Sequence, residues 1–219
     1  MSEANSLPGF MELRFALSPP KPTFTPKQLL EAARAAEIQT FGWPIGIVLN
    51  PDEYRPHPSV DGITAEVDVA GQSYDFWSFR TDGDYYLLKS LFEDQRVPNS
   101  LFADTRIVRV TEALLFCARL YAQMDVDPAK VVHIAVRHGG LKGRTLQTAN
   151  PVRHLSLPRT TMESEVGTEM SVMLGEVDSR LVEHVKRICG PLFMVFDFLE
   201  LGDPVYEDLV GNFVAGRVN

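Results

Sequence analysis

Three strand-like runs between residues 62 and 92 are joined by short turn sequences, and this arrangement most constrains the fold. The first run, GITAEVDV at 62–69, alternates apolar and polar residues as a half-buried strand does. The second and third runs, YDFWSFR and DYYLLKSLF, flank Asp82-Gly83, a dipeptide typical of tight β-hairpin turns. The region is therefore predicted to be an antiparallel meander rather than a series of parallel βαβ units.

Helices are predicted on both sides of this meander. Thr25 and Gln28 have the spacing of a capping box, and they start an alanine-rich helix that runs to about residue 37. A longer helix is predicted over 104–128, because its apolar residues recur three and four positions apart. Asp104 is one of two residues that could cap it.

The order of elements indicates the fold class. Further strands are predicted at 11–17, at 42–49 and in the runs KVVHIAVRH, GRTLQT and TEMSVMLGEV, and two helices follow them. The order β-α-ββββ-α-βββ-α-α predicts a single α+β domain over 1–219, with a mostly antiparallel sheet and helices packed on one face. A helix followed by several strands occurs twice, so the order also fits two similar halves at 20–98 and 99–199.

Composition and charge narrow the classes of partner. The formal net charge is −8, so the nucleic-acid backbone would repel this chain unless its cations cluster. No apolar run approaches the roughly 20 residues that a membrane span needs. Cys117 and Cys189 lie in apolar helical patterns, which favours two reduced thiols. We therefore expect a cytoplasmic protein without a membrane partner, and nucleic acid is disfavoured as a partner of this chain alone.

The segment AVRHGGLKGRTLQ, at 135–147, carries three glycines, a histidine and three cations. It differs from a phosphate-binding P-loop: its glycine spacing is one residue short, arginine replaces the lysine, and a strand follows instead of a helix. We predict a β-hairpin whose cationic tip is either solvated or binds an anion or a protein partner. The candidate contact residues are Arg137, His138, Gly139, Gly140, Lys142 and Arg144.

Large aromatic rings crowd into the second and third strands of the meander. Trp77 and Phe79 fall on one face of their strand and Phe76 falls on the other, so rings occupy both faces. Either this strand is covered on both sides, or one aromatic face meets a ligand or partner. In the second interpretation, Trp77, Phe79 and Tyr85 form a contact surface.

Catalytic and metal-binding motifs are incomplete throughout the sequence, and the five histidines lack metal-ligand spacing. We therefore expect no cofactor and no metal, and we assign no catalytic residue. A hydrolase or nuclease is the alternative from another class, with scattered acids acting beside a histidine. Its candidate residues are Glu93, Asp94 and Glu169, with His133 or His138. A third alternative is a nucleic-acid-associated regulator, which needs a continuous basic face.

Four stretches resemble the C-terminal region of a family of bacterial regulators. They are AARAAEIQTFGWPIGIVLNPDEYRPHPSVDGITAEV, YDFWSFRTDGDYYLLKSLFED, TRIVRVTEALLFCARLY and HGGLKGRTL. The family is that of Schlafen-type regulators with an AlbA-like domain for DNA or ATP binding, and the resemblance covers roughly residues 10–215. It implies a sensing, docking or assembly module without assigned catalytic residues. Any DNA-binding or nucleotide-binding role would belong to the AlbA-like part, which this chain is expected to lack.

These observations together favour a binding module over an enzyme. The leading hypothesis is a non-catalytic binding or regulatory module that acts through a protein partner, a second copy of itself or a small anionic effector. The cationic tip at 137–144 and the aromatic hairpin at 76–92 are its two candidate contact surfaces.

Overall fold

The computed structural model describes residues 9–19, 23–38, 42–69, 73–153, 155 and 157–217. The helices are α1 Pro26–Ala36, α2 Ala103–Ala122, α3 Glu176–Ser179, α4 Leu181–Met194 and α5 Asp203–Val214, and a 3₁₀ turn occupies Phe92–Gln95. The strands are β1 Phe10–Ser18, β2 His57–Ser59, β3 Gly62–Val69, β4 Ser73–Arg80, β5 Tyr85–Ser90, β6 Ser100–Phe102, β7 Val131–Gly139, β8 Thr145–Gln147, β9 Arg159–Thr160 and β10 Glu165–Met173.

Seven of the strands form one antiparallel sheet, in the order β10-β7-β1-β5-β4-β3-β2. In the interior of this sheet, Leu13 of β1 lies opposite Leu87 of β5 on one side and Val136 of β7 on the other. A small mixed sheet contains β6, β8 and β9, with β6 parallel to β8. The predicted α+β class and the mostly antiparallel sheet are confirmed. Strands from 20–98 and from 99–199 share the large sheet, and the division into similar halves stays a prediction.

One face of the large sheet is buried beneath helices and the other is open. Along β1, Leu13 and Phe15 are buried while Arg14 between them is exposed, which is the alternation expected of a strand between a core and solvent. The same alternation runs along β7, where Ile134 is buried and Arg137 is exposed. Helix α1 packs on β3, and α4 packs on β10. The core therefore lies between this face and the helices.

Helix α2 is the central helix of the core. It packs against α1, α4 and α5, and 17 of its 20 residues are buried. The sequence predicted one apolar face, whereas a helix that is buried all round must also place its polar residues inside. Its buried charges are Asp104, Arg106, Arg109 and Glu112. Because a buried charge is costly without a partner, each of these side chains points to a specific tertiary contact.

Two local predictions are confirmed. The Thr25 hydroxyl accepts a hydrogen bond from the Gln28 N–H at 3.3 Å, and the Gln28 carboxamide oxygen accepts one from the Thr25 N–H at 2.9 Å, which completes the capping box of α1. The predicted hairpin turn joins β4 to β5. Gly83 has a φ of 94° there, and the Arg80 N–H donates to the Asp84 carbonyl at 2.8 Å.

The predicted strand at 42–49 is wrong. This segment is irregular and lies over the buried face of the sheet, with Ile45 and Ile47 in the core. Its backbone groups bond to side chains rather than to a neighbouring strand. The Ile45 N–H donates to Glu112 at 2.7 Å, and the Ile47 carbonyl accepts from the Trp77 indole at 2.9 Å. The segment is thus apolar because some of its side chains are buried in the core, although its backbone does not pair with a strand.

The interpretation of Trp77, Phe79 and Tyr85 as a contact surface is also wrong. Their side chains are 0%, 0% and 2% exposed and face the helices. The Tyr85 ring packs against Phe15 of β1 and Phe116 of α2, with centroid distances of 5.6 and 5.2 Å. Aromatic packing of this kind is a feature of protein cores, and here it attaches α2 to the sheet.

We expect Thr25→Ala to lower the free energy of unfolding by about 1 kcal/mol, because an N–H of the first turn of α1 loses its acceptor. Thr25→Ser keeps a hydroxyl at this position and should retain most of the stability. Urea denaturation of the three proteins measures both differences. Equal losses in the two variants would contradict a role for the hydroxyl.

Candidate functional site

The glycine-rich segment is not the tip of a β-hairpin, because the strands on its two sides belong to different sheets. β7 ends at Gly139 in the large sheet, whereas β8 begins at Thr145 in the small sheet and pairs with β6 and β9. Gly140 and Gly143 turn the chain between them, with φ values of 66° and 80°. The segment 137–144 is therefore a connection between the two sheets.

Two of its candidate contact residues, Arg144 and His138, are buried. Arg144 is 2% exposed and forms an ion pair with Asp94 at 2.5 Å. The same guanidinium donates to the carbonyls of Ser100 and Gly140, at 2.8 and 2.6 Å. His138 is also 2% exposed. Arg144 therefore holds the connection in place, and both side chains are closed to an external partner.

The remaining candidates are divided between the open sheet face and the surface of the connection. Arg137 lies on the open face of the sheet, where it forms ion pairs with Glu12 and with Glu165. Gly139 is buried against the ring of the first residue of β1. Lys142 is exposed, and the described residues supply no ion pair for it. The six residues therefore do not form one contact surface.

The residues of the alternative hydrolase or nuclease do not form one accessible site either. His138 points into the core, and Glu93 is buried beside α2. His133 and Glu169 lie on the open face of the sheet. Asp94 is held by the ion pair described above. Because a catalytic acid and base must reach the same substrate, this set does not assemble a site. Across the described ranges, no group of three or more His, Cys, Asp or Glu side chains is placed to hold a metal ion.

Buried charges instead fix the 3₁₀ turn that carries two of these acids. Glu93 accepts hydrogen bonds from the Arg106 guanidinium at 2.9 Å and from the Phe102 N–H, just before α2, at 3.0 Å. Burial lowers the pKa of Arg106, and the Glu93 carboxylate opposes that effect. Asp94 also accepts from the Gly9 N–H at 2.7 Å. The turn is thus attached to α2 and to the residue that precedes β1.

A cleft of about 450 Å³ lies beside this turn, at the N-terminal end of α2. Its walls come from the 3₁₀ turn, the first turns of α2, residues 149–153 and α5. Three arginines line the cleft, Arg96, Arg153 and Arg217, against one carboxylate, that of Asp104. We name it the arginine cleft, and its excess of positive charge contrasts with the net charge of −8 of the chain.

Asp104 holds the loop that forms one wall of the cleft. Its carboxylate accepts hydrogen bonds from the N–H groups of Ala149 and Asn150, at 2.9 and 3.0 Å. Asp104 thus lies in the first turn of α2, and its carboxylate binds the loop. The helix begins without the side-chain cap that the sequence predicted. Arg153 forms an ion pair with Asp208, which joins the same loop to α5.

The other two arginines of the cleft have no carboxylate partner among the described residues. Arg96 and Arg217 are both exposed. The Arg96 guanidinium stacks on Phe92, 4.6 Å from the centre of the ring, in a cation–π contact that orients it. Guanidinium groups bind carboxylates and phosphates through paired hydrogen bonds. The cleft is thus equipped for an anionic ligand.

Sequence reasoning missed this cleft because its arginines are far apart in the chain and belong to no motif. Arg96 follows the 3₁₀ turn, Arg153 lies in a loop, and Arg217 follows α5. The cations at 137–144 lie close together in the sequence, and the sequence pattern therefore predicted a contact surface there instead. A site assembled from three separate segments leaves no local pattern, so only the tertiary structure reveals it.

Comparisons with known proteins add no relative. No protein-family model matches the chain, and no curated protein or solved structure is significantly similar to it. The resemblance to Schlafen-type regulators stays a prediction. None of the helices in the described ranges is both long and apolar enough to cross a membrane.

The buried pair beside the cleft leads to a stability prediction. Glu93→Gln should lower the free energy of unfolding by about 3 kcal/mol, because the Arg106 charge then stays buried without a counter-charge. The double variant Glu93→Gln/Arg106→Met should lose less than either single variant. Urea denaturation measures the three values, and a double-variant loss equal to the sum of the single losses would contradict the pairing.

His138 leads to a prediction about pH. Burial and the nearby Arg106 charge lower the pKa of His138 from 6.5 to about 3. The unfolded chain therefore binds a proton between these pH values that the folded chain does not. The free energy of unfolding should fall as the pH drops below 6.5, by up to roughly 1 kcal/mol per pH unit, and this effect should be absent above that pH.

Urea denaturation between pH 7 and pH 4.5 tests this dependence. His138→Asn should flatten the decrease, since it removes the buried group. His133→Asn, which removes an exposed histidine from the other face of the same strand, is the matched control and should keep a steeper decrease. Identical pH profiles for the wild type and His138→Asn would contradict the prediction.

Proposed function

We propose that the protein is a non-catalytic binding module for a small anionic effector, which it binds in the arginine cleft. The observation that carries the proposal is the gathering of Arg96, Arg153 and Arg217 around one cleft in a chain of net charge −8. Clefts of this size are typical of small-molecule sites. Arg153 is already paired with Asp208, so Arg96 and Arg217 are the main ligands for an added anion.

The other groups of the cleft favour binding over catalysis. Apart from the arginines, Asp104 is the titratable group among the described lining residues, and backbone N–H groups occupy its carboxylate. A carboxylate held in this way is poorly placed to act as a general base. Phe92 and Phe213 give the cleft an apolar wall, and Asn150 and Asn212 add carboxamide groups for orientation of the ligand.

The wider role in this proposal is regulatory. The module acts in the cytoplasm, where Cys117 and Cys189, both buried and unpaired with each other, remain reduced. A protein partner or a second copy of the chain responds to the bound state. The resemblance to Schlafen-type regulators supports a sensing role of this kind, and a direct role in nucleic-acid binding stays an untested alternative.

Calorimetric titration with inorganic pyrophosphate and with citrate tests the proposal. The wild type should bind at least one of these anions, more tightly at low salt than at high salt. Arg96→Ala/Arg217→Ala should weaken that binding by about tenfold or more, because two charge-assisted contacts are lost.

Arg119→Ala is the matched control, since it removes an exposed arginine from the other end of α2. This variant should bind the anion as the wild type does. Binding that is unchanged in Arg96→Ala/Arg217→Ala, or no binding of either anion by the wild type, would contradict the proposed function.

A further inference from the structure

A second cleft of about 450 Å³ lies directly beside the arginine cleft. It runs between α2, the loop that contains Leu155, and the start of α5. Its lining is mostly aliphatic and includes Ile107, Leu155, Leu201 and Val205. We name it the apolar cleft. An open cleft with such a lining leaves apolar surface in contact with water, which is a feature of ligand sites more than of ordinary surfaces.

The two clefts adjoin each other and share a wall. Asp104, Arg153 and Leu209 line both of them. The ion pair between Arg153 and Asp208 marks this boundary and joins the loop to α5. An extended ligand that crosses this wall would contact both compartments at once.

The compartments differ sharply in chemistry. On the arginine side, Arg96 and Arg217 are exposed and have no carboxylate partner among the described residues. On the apolar side, the charged groups are those of the boundary, Asp104, Arg153 and Asp208, and each is already hydrogen-bonded. A ligand that matches both compartments carries a negative charge at one end and an apolar chain at the other.

We propose that the two clefts form one binding site for a free amphipathic anion, a linear alkyl or acyl chain that ends in a carboxylate or phosphate. The inference rests on the proposed function and adds to it the class of the ligand. The head group binds Arg96 and Arg217, and the chain lies along α5 in the apolar cleft. Charge fixes the orientation, and chain length sets the affinity.

The test is a chain-length series. Butyl, hexyl and octyl phosphate, and the carboxylates of the same chain lengths, are titrated as monomers by calorimetry. Each added methylene should lower the Kd roughly threefold to fourfold until the apolar cleft is filled. The two head-group series show which anion the arginines prefer. Binding to phosphatidylglycerol vesicles in place of the free monomers would overturn the assignment of a free ligand.

A variant that fills the apolar cleft separates the two compartments. Val205→Phe should abolish the gain with chain length. It should leave unchanged the binding of pyrophosphate or citrate, whichever the wild type binds, because these anions carry no alkyl chain, and that binding also shows that the variant is folded. Leu201→Phe fills the same cleft from the loop before α5 and replaces it if Val205→Phe does not fold. Val214→Phe, at the far end of α5 and 59% exposed, is the matched control and should behave as the wild type does.

The outcomes distinguish this inference from the proposed function. Equal affinities for butyl and octyl phosphate, both weakened in Arg96→Ala/Arg217→Ala, would overturn the amphipathic ligand and leave the anion site standing. Affinities that rise with chain length but are unchanged in Arg96→Ala/Arg217→Ala would overturn the proposed function. A gain with chain length that survives both Val205→Phe and Leu201→Phe would show that the chain binds elsewhere.

Discussion

The buried ion pair between Glu93 and Arg106 is the interaction on which the candidate site depends. One carboxylate joins the 3₁₀ turn to a side chain of α2 and to the backbone just before that helix. Both side chains are almost completely buried, so removal of either partner leaves an unpaired charge in the core. The arginine cleft lies between the elements that this pair connects, and its shape follows from their attachment.

The fold could be predicted from the sequence where local chemistry decided the outcome. The capping box at Thr25 and the turn at Gly83 depend on a few adjacent residues, and both are present. The segment at 42–49 has the composition of a strand, but Ile45 and Ile47 are apolar because they cover the core. Composition alone does not distinguish an apolar residue of a paired strand from one that covers the core in an irregular segment. Pairing depends on which backbone groups lie opposite, and that is a tertiary property.

The candidate site could not be predicted for a related reason. The cations at 137–144 are close in sequence, and Arg137 and Arg144 are balanced by carboxylates from distant parts of the chain. Arg96 and Arg217 are distant in sequence and remain unbalanced by the described residues. What marks the candidate site is that cations without a carboxylate partner line one cleft together. The glycine-rich segment still matters, because Arg144 holds Asp94 and so supports one wall of the cleft.

The central position of β1 affects how this chain can fold as it is synthesised. β1 precedes the rest of the described elements, yet its two neighbours in the sheet begin only at Tyr85 and Val131. Pairing across such sequence separations is slow, because loop-closure entropy is lost before the contacts form. In a nascent chain, β1 therefore lacks both of its neighbours until β5 is made, and it lacks the second until β7 is made. Until then, the unpaired edges and the apolar face of this strand are open to the contacts that lead to aggregation.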